Sequence, residues 1–192
     1  MPRLILASSS SYRKALLQRL HLPFESASPD IDETALDGET PEQLTQRLAL
    51  QKAQSLQQTF PNHLIIGSDQ VVLLDGQPVS KPGSHREAFR QLRASSGQTL
   101  TFSTALCLLN SASGQHQLIV EPYSVTFRAL DDAQIERYLT REKPYDCAGS
   151  FKSEGFGISL IHRMQGDDPN SLIGLPLIRL CDMLANEGIH LP

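Results

Sequence analysis

The sequence predicts an α/β fold: a mixed, curved β-sheet flanked by helices. Three observations carry this. Short apolar runs of strand length alternate with segments whose apolar residues recur at helical spacing. Two long strand-like runs between residues 99 and 130 are joined near Ser113-Gly114, giving one antiparallel pair within the alternating order. The chain has 192 residues, 40% of them hydrophobic, with no repeat, low-complexity tract or linker, which suits one domain, or one domain with a lobe, over 1–192.

The elements follow in order. Residues 4–7, Leu-Ile-Leu-Ala, read as a short buried strand, and residues 12–20 as a helix with Leu16, Leu17 and Leu20 on one face. Residues 24–27 suit a second strand, and "SPDIDETALDGET" a polar, acidic loop. Thr40, Pro41 and Gln43 have the form of a helix start, with a capping threonine, a proline at the first helical position and a glutamine to close the capping box. That helix is expected to run to about Thr59. Residues 63–74 form a long apolar strand with a polar interruption, and Asp75-Gly76 turns the chain. Ser84 with Glu87, and Asp131 with Gln134, start two further helices, and a last helix covers roughly 177–187.

Composition excludes several classes. A net charge of −4 at pH 7 and a pI of about 5.8 argue against broad nucleic-acid binding, which needs a basic face. No run of about 18 apolar residues is present to span a membrane, and the N-terminal apolar run is too short for a signal peptide. Cys107, Cys147 and Cys181 are widely spaced with no CxxC, so they read as buried free thiols of a cytoplasmic protein.

Chemistry concentrates in a few places. "LILASSSSYRKALL" joins a strand to a helix through serines, and free backbone N–H groups with the helix dipole make such a junction an anion site; one serine as a simple helix cap is the alternative. Arg13 shares a face with Leu16, Leu17 and Leu20 and so points inward, toward an anion or a buried carboxylate. Lys52 lies in a stripe with Leu44, Leu48 and Leu56, either aimed into a cleft or snorkelling to the surface. Asp69 interrupts the apolar strand and reads as a carboxylate at the end of a buried parallel-type strand, where α/β proteins bind ligands, although a carboxylate can also cap a loop there. Glu33 could join it around Mg²⁺ or Mn²⁺, or belong to a solvated turn, and Lys81 adds a further cation. With no GxxxxGK[ST] and no GxGxxG, the parts suit nucleoside triphosphate hydrolysis without a P-loop.

These stretches resemble the Maf family of nucleotide pyrophosphatases from end to end, including "DET" at 32–34, "QKA" at 51–53, "IIGSDQVVLLDGQPVSKP" at 65–82, "CAGSFKSEGFG" at 147–157 and "GDDPNSLIGLPL" at 166–177. The resemblance implies a fold similar to inosine triphosphate pyrophosphatases with a central nucleotide cleft. It implies a divalent metal (Mg²⁺, Mn²⁺ or Co²⁺) and hydrolysis of a nucleoside triphosphate to monophosphate and pyrophosphate. By the same resemblance Asp69 is the general base, Glu33 and Asp69 hold the metal, and Ser8, Arg13, Lys52 and Lys81 meet the phosphates. The family's first motif usually has a proline where Ser11 stands and a second arginine where Lys14 stands.

Tyr12, Gln70 and Glu154 match the family's 7-methyl-GTP branch; a dTTP/UTP branch usually has Arg, Thr and Gln there. An aromatic face attracts the cationic 7-methylguanine ring, and a carboxylate accepts from guanine N–H groups while repelling pyrimidine carbonyls. The simpler readings are Tyr12 packed on Leu16 and Glu154 paired with Lys152. Competing functions are the dTTP/UTP activity and, from the association behind the family's name, a nucleotide-binding regulator of septum formation. Expected partners are a small nucleotide and neither nucleic acid nor membrane. Many members of the family pair as homodimers, though no exposed apolar stripe in this sequence demands it.

Overall fold

The computed structural model describes residues 3–192. The elements are β1 (Leu4–Ala7), α1 (Ser11–Gln18), β2 (Phe24–Ala27), α2 (Pro41–Ser55), β3 (Leu64–Leu74), β4 (Gln77–Pro78), α3 (His85–Ser95), β5 (Thr99–Asn110), β6 (His116–Phe127), α4 (Asp132–Glu142), β7 (Ile161–Gln165), α5 (Pro169–Ile173) and α6 (Leu177–Asn186). Among the described residues one mixed sheet runs in the order β2-β1-β3-β5-β6-β7, with β4 on β3. β1 pairs in parallel with both β2 and β3, whereas β3–β4 and β6–β7 are antiparallel.

The chain forms two compact units. One holds residues 1–70, 103–121 and 168–192, and the other holds 71–102 and 122–167. The first contains the parallel β2-β1-β3 part of the sheet. Side chains alternate across a strand, and the core of this unit divides accordingly. Leu4, Leu6, Leu64 and Ile66 pack with Leu16, Leu17, Leu180 and Leu184 on one face. Ile5, Ala7 and Ile65 pack with Ala49, Ala53 and Leu56 of α2 on the other. In the second unit Phe127 and Phe151 meet edge to face at 5.4 Å, and Tyr138 is buried at 1% exposure.

The helix starts are those expected. Thr40 and Gln43 form a reciprocal capping box, as do Asp131 and Gln134, and Ser84 accepts from the Glu87 amide. α2 stops at Ser55, short of Thr59, because the chain passes into turns after Leu56. Three elements had no sequence expectation, the two-residue β4, β7 and the five-residue α5. Cys107 is buried and its thiol is pushed up to about 12 by burial, while Cys147 and Cys181 are only half-buried. No helix among the described residues is long and apolar enough to cross a membrane.

Gly67 sets how closely α2 lies on the sheet. A Cβ built there would fall 2.1 Å from the Ala49 carbonyl oxygen and 3.0 Å from the Ala53 amide nitrogen. The small residues Ala49 and Ala53 opposite a glycine let the α2 backbone touch β3. Gly67→Ala must push the helix outward, and such overpacking costs about 1–3 kcal/mol. The expected result is a lower urea midpoint with an unchanged slope; a midpoint equal to the parent's would show that α2 is not held this closely.

Candidate active site

The order β2-β1-β3 reverses direction between β1 and β3, and ligands of open α/β sheets bind beyond the carboxyl ends of the strands at such a point. β1 ends at Ala7, and its pairing with β3 ends at Leu6↔Ile66. β3 continues to Leu74, so Asp69 lies inside an eleven-residue strand and not at its end. The carboxyl end belongs to β1, and Asp69 stands where β3 runs on past it.

The serine loop occupies that end. Ser10 is the helix cap, accepting from the Arg13 amide at 3.4 Å, so the capping reading holds for this serine. Ser8 is buried and its hydroxyl accepts from the Ser10 amide at 3.1 Å. Tyr12 is half-buried and Lys14 exposed, consistent with Arg13 being the cation that turns inward.

Gly67 and Asp69 share the face of β3 that meets α2, and this places Asp69 under Lys52. The ammonium lies 2.7 Å from Asp69 Oδ1 and 2.8 Å from Glu33 Oε1, with side-chain exposures of 7% for Lys52, 14% for Asp69 and 58% for Glu33. The lysine does not snorkel. It stays in its apolar stripe because two carboxylates meet its charge, one from the strand and one from the acidic loop.

Arg13 completes the charge balance. Its Nε donates to the Gly174 carbonyl at 2.8 Å. Burial pulls the guanidinium's pKa down, and the charges of Asp69 and Glu33 hold it up. The guanidinium is thus turned inward and feels the charge of carboxylates, the second of the two alternatives for this residue. Burial raises the Asp69 pKa, Lys52 and Arg13 oppose that rise, and Glu33 adds to it.

Gln70, one residue on, projects to the opposite face of β3. Its Nε2 donates to Thr104 Oγ1 at 2.8 Å, to the Ser171 carbonyl at 2.8 Å and to the Leu172 carbonyl at 3.3 Å. Thr104 itself donates to the Ser171 carbonyl at 2.8 Å. Rotating the amide would set its oxygen against two carbonyl oxygens, so its orientation is determined. The donor end of Gln70 is spent inside the protein, and the carbonyl oxygen is the end left for a ligand.

Lys81 and Glu154 belong to the second unit and both are exposed. The stretch around Lys81 is held on either side, Ser80 accepting from Gln91 Nε2 and the Gly83 amide donating to the Tyr145 carbonyl, each at 3.0 Å. Glu154 accepts from Ser153 Oγ at 3.3 Å, while Lys152 Nζ lies 3.9 Å from Asp146. The glycines near Glu154 serve packing within this unit, since a Cβ at Gly155 would meet the Glu142 carboxylate at 2.9 Å and one at Gly157 the Lys152 carbonyl at 2.3 Å.

Sequence reasoning missed the role of α5. Its C-terminal carbonyls receive Gln70, Gly174 receives Arg13 and Ser68 Oγ, and buried Asp168 caps α5 and also accepts from the Ile178 amide at 2.7 Å. An Asp-Pro start with a glycine stop five residues later was the available signal, too short to show periodicity.

The charge arrangement has a measurable consequence. Asp69 in the folded protein titrates above its ordinary 3.8, so the folded state holds this proton more tightly than the unfolded chain. Its contribution to stability therefore falls as pH rises from 3.8 through the folded-state value. In ligand-free protein, Glu33→Gln is expected to lower the Asp69 pKa and Lys52→Met to raise it, both followed by carbon-13 NMR of the carboxyl. Shifts of the opposite sign would contradict the arrangement.

Comparison with known proteins bears on what this arrangement does. The family model described as "Maf-like protein" matches residues 3–187. Three relatives named "7-methyl-GTP pyrophosphatase" align over 100% of both chains: 58% identical in Pseudomonas syringae pv. tomato, 57% in Pseudomonas savastanoi pv. phaseolicola and 56% in Pseudomonas aeruginosa. A solved HAM1 protein from Coxiella burnetii shares the fold, with TM-score 0.56 and 17% identity over 97% of this chain and 100% of its own.

Proposed function

The chain belongs to the family of Maf-like proteins, and on that premise we propose that it hydrolyses 7-methyl-GTP to 7-methyl-GMP and pyrophosphate. The observation that carries the hydrolytic part is the Lys52 ammonium between Asp69 and Glu33, beside inward Arg13. Full-length relatives sharing one printed activity support the choice of substrate.

Asp69 is the general base. Its carboxylate accepts the proton of the water that attacks the α-phosphorus, and Lys52 and Arg13 oppose the rise that burial imposes on its pKa. Arg13 and Lys52 neutralise charge on the phosphates and on departing pyrophosphate, and Ser8 at the end of β1 adds a hydroxyl. The donor set fits a divalent cation. Asp69 and Glu33 offer hard carboxylate oxygens that converge on one point, and Mg²⁺ is commonly held by one or two carboxylates with substrate phosphates and water. Among the described residues no group of three His, Cys, Asp or Glu could hold a metal ion, so Glu33 and Asp69 are the carboxylates that would hold it. Such a cation would offset phosphate charge and lower the pKa of a water molecule. Nucleotide substrates place this work in the cytoplasm.

Tyr12 and Gln70 of the first unit select the base. The cationic 7-methylguanine ring is favoured by an aromatic face, by roughly 0.5–2 kcal/mol. Gln70 presents an acceptor, its donor end being engaged by Thr104 and α5. An acceptor suits the N–H groups of guanine and opposes the carbonyl-rich edges of thymine and uracil. Glu154 is the residue that the family resemblance adds to this choice, a carboxylate where the dTTP/UTP branch usually has Gln.

The test is pyrophosphate release from 7-methyl-GTP, GTP, dTTP, UTP and CTP with Mg²⁺, Mn²⁺ or Co²⁺. The highest kcat/KM is expected for 7-methyl-GTP, with Glu154→Gln narrowing the preference. A parent preference for dTTP or UTP would overturn the base pocket, and absence of turnover with all five would overturn the enzymatic reading in favour of a nucleotide-binding regulator.

A further inference from the structure

We propose that Arg47 is a positioning residue for this reaction: from α2 it clasps the 32–39 loop and so holds Glu33 at Lys52 and Asp69. The proposal rests on the reading above, in which Glu33 serves hydrolysis.

Glu33 needs such support. It is more than half exposed, and a carboxylate open to solvent contributes little by a single ion pair to ordering a loop. The loop is nevertheless tied to α2 through a second residue. Arg47 Nε donates to Glu39 Oε1 at 2.6 Å, and Nη2 donates to Glu39 Oε2 at 2.8 Å and to the Thr34 carbonyl at 2.9 Å. Nη1 donates to Gln51 Oε1 at 3.0 Å, which fixes the guanidinium along its own helix. The bidentate grip on Glu39 and the bond to Thr34 hold both ends of the loop at once.

The loop is also folded on itself around these points. The Thr34 amide donates to Asp32 Oδ1 at 2.9 Å, forming a turn with Glu33 at its centre. The Leu36 amide donates to Glu39 Oε2 and the Glu39 amide to the Leu36 carbonyl, both at 3.0 Å. Glu33 thus sits between a residue whose side chain closes the turn and a residue whose carbonyl Arg47 holds. Arg47 and Lys52 lie five positions apart on α2, so the same rigid element carries the clasp and the ammonium that Glu33 meets. The guanidinium also holds Glu39 down to about 2, which keeps the clasp ionised throughout the range where the enzyme would work.

A planar fork is needed to reach a carboxylate and a carbonyl together, and a lysine supplies only a point charge. The test therefore compares Arg47→Met, Arg47→Lys, Glu39→Gln and the Arg47→Met/Glu39→Gln double variant. Two quantities are read, thermolysin cleavage before Leu36, which is 60% exposed, and kcat/KM on 7-methyl-GTP. Thermal melts followed by circular dichroism show that each variant is folded.

Arg47→Met is expected to be cleaved at Leu36 about tenfold faster or more, since cleavage tracks release of the segment. Its kcat/KM is expected to fall about 10- to 100-fold, the range for residues that orient ligands of a metal site. Arg47→Lys should recover part of both. The double variant should be no worse than Arg47→Met alone, because both changes open the same clasp. Glu39→Gln, altered on the loop side, reports independently if Arg47→Met melts early. Unchanged cleavage in Arg47→Met and Glu39→Gln would overturn the proposal. Faster cleavage with unchanged kcat/KM would overturn it too, and would also remove Glu33 from the reaction. A parent without turnover on 7-methyl-GTP would instead defeat the functional reading, while the cleavage rates still decide whether Arg47 holds the loop.

Discussion

A lysine ammonium within an apolar helix face must be met by negative charge, and the first unit of this protein is arranged around meeting it. Lys52 is nearly buried because α2 lies against β3, and α2 lies there because Gly67 faces Ala49 and Ala53. The alternation of the strand then brings Asp69, two residues past Gly67, to the same helix. Glu33 supplies the second carboxylate from the loop that precedes α2. A cation paired with two carboxylates in the absence of ligand is also a cation ready to turn toward phosphate, and the carboxylates it leaves are suited to a metal and a water.

The opposite face of β3 follows a different logic. Ser68 and Gln70 point away from α2 and toward α5, and carbonyls at its C-terminal end accept hydrogen bonds from them and from Arg13. A helix of five residues contributes little stability of its own. It works because buried Asp168 caps it and at the same time accepts from the first turn of α6. Two neighbouring residues of one strand, Asp69 and Gln70, are in this way fixed by different layers, one by a charged partner and one by main-chain oxygens.

Much of this was legible in the sequence, for physical reasons that can be named. β1 and β3 are largely apolar runs of strand length, and the capping box of α2 is a local pattern that tertiary packing does not override. Arg13 and Lys52 were visible as charges on apolar stripes, a signal that survives without knowledge of the partner. The partners themselves were not legible: Gly174, Thr104 and Ser171 meet Arg13 and Gln70 across more than thirty positions of sequence. The mid-strand place of Asp69 was missed because β3 outruns β1, which only the pairing register shows. α5 and β7 are too short for a periodic signal. Arg47 drew no notice because an arginine in the middle of a helix is ordinary until its loop partners are seen.

Single-turnover pyrophosphate release by Asp69→Asn on 7-methyl-GTP, paired with calorimetric binding of a non-hydrolysable analogue, tests the central claim most directly. Loss of the base should slow release by about 10²–10⁴-fold while the analogue binds within a few-fold of the parent. Release within tenfold of the parent, in a variant that binds normally, would contradict the assignment of Asp69 and with it the reading of the Lys52 cluster as the hydrolytic centre.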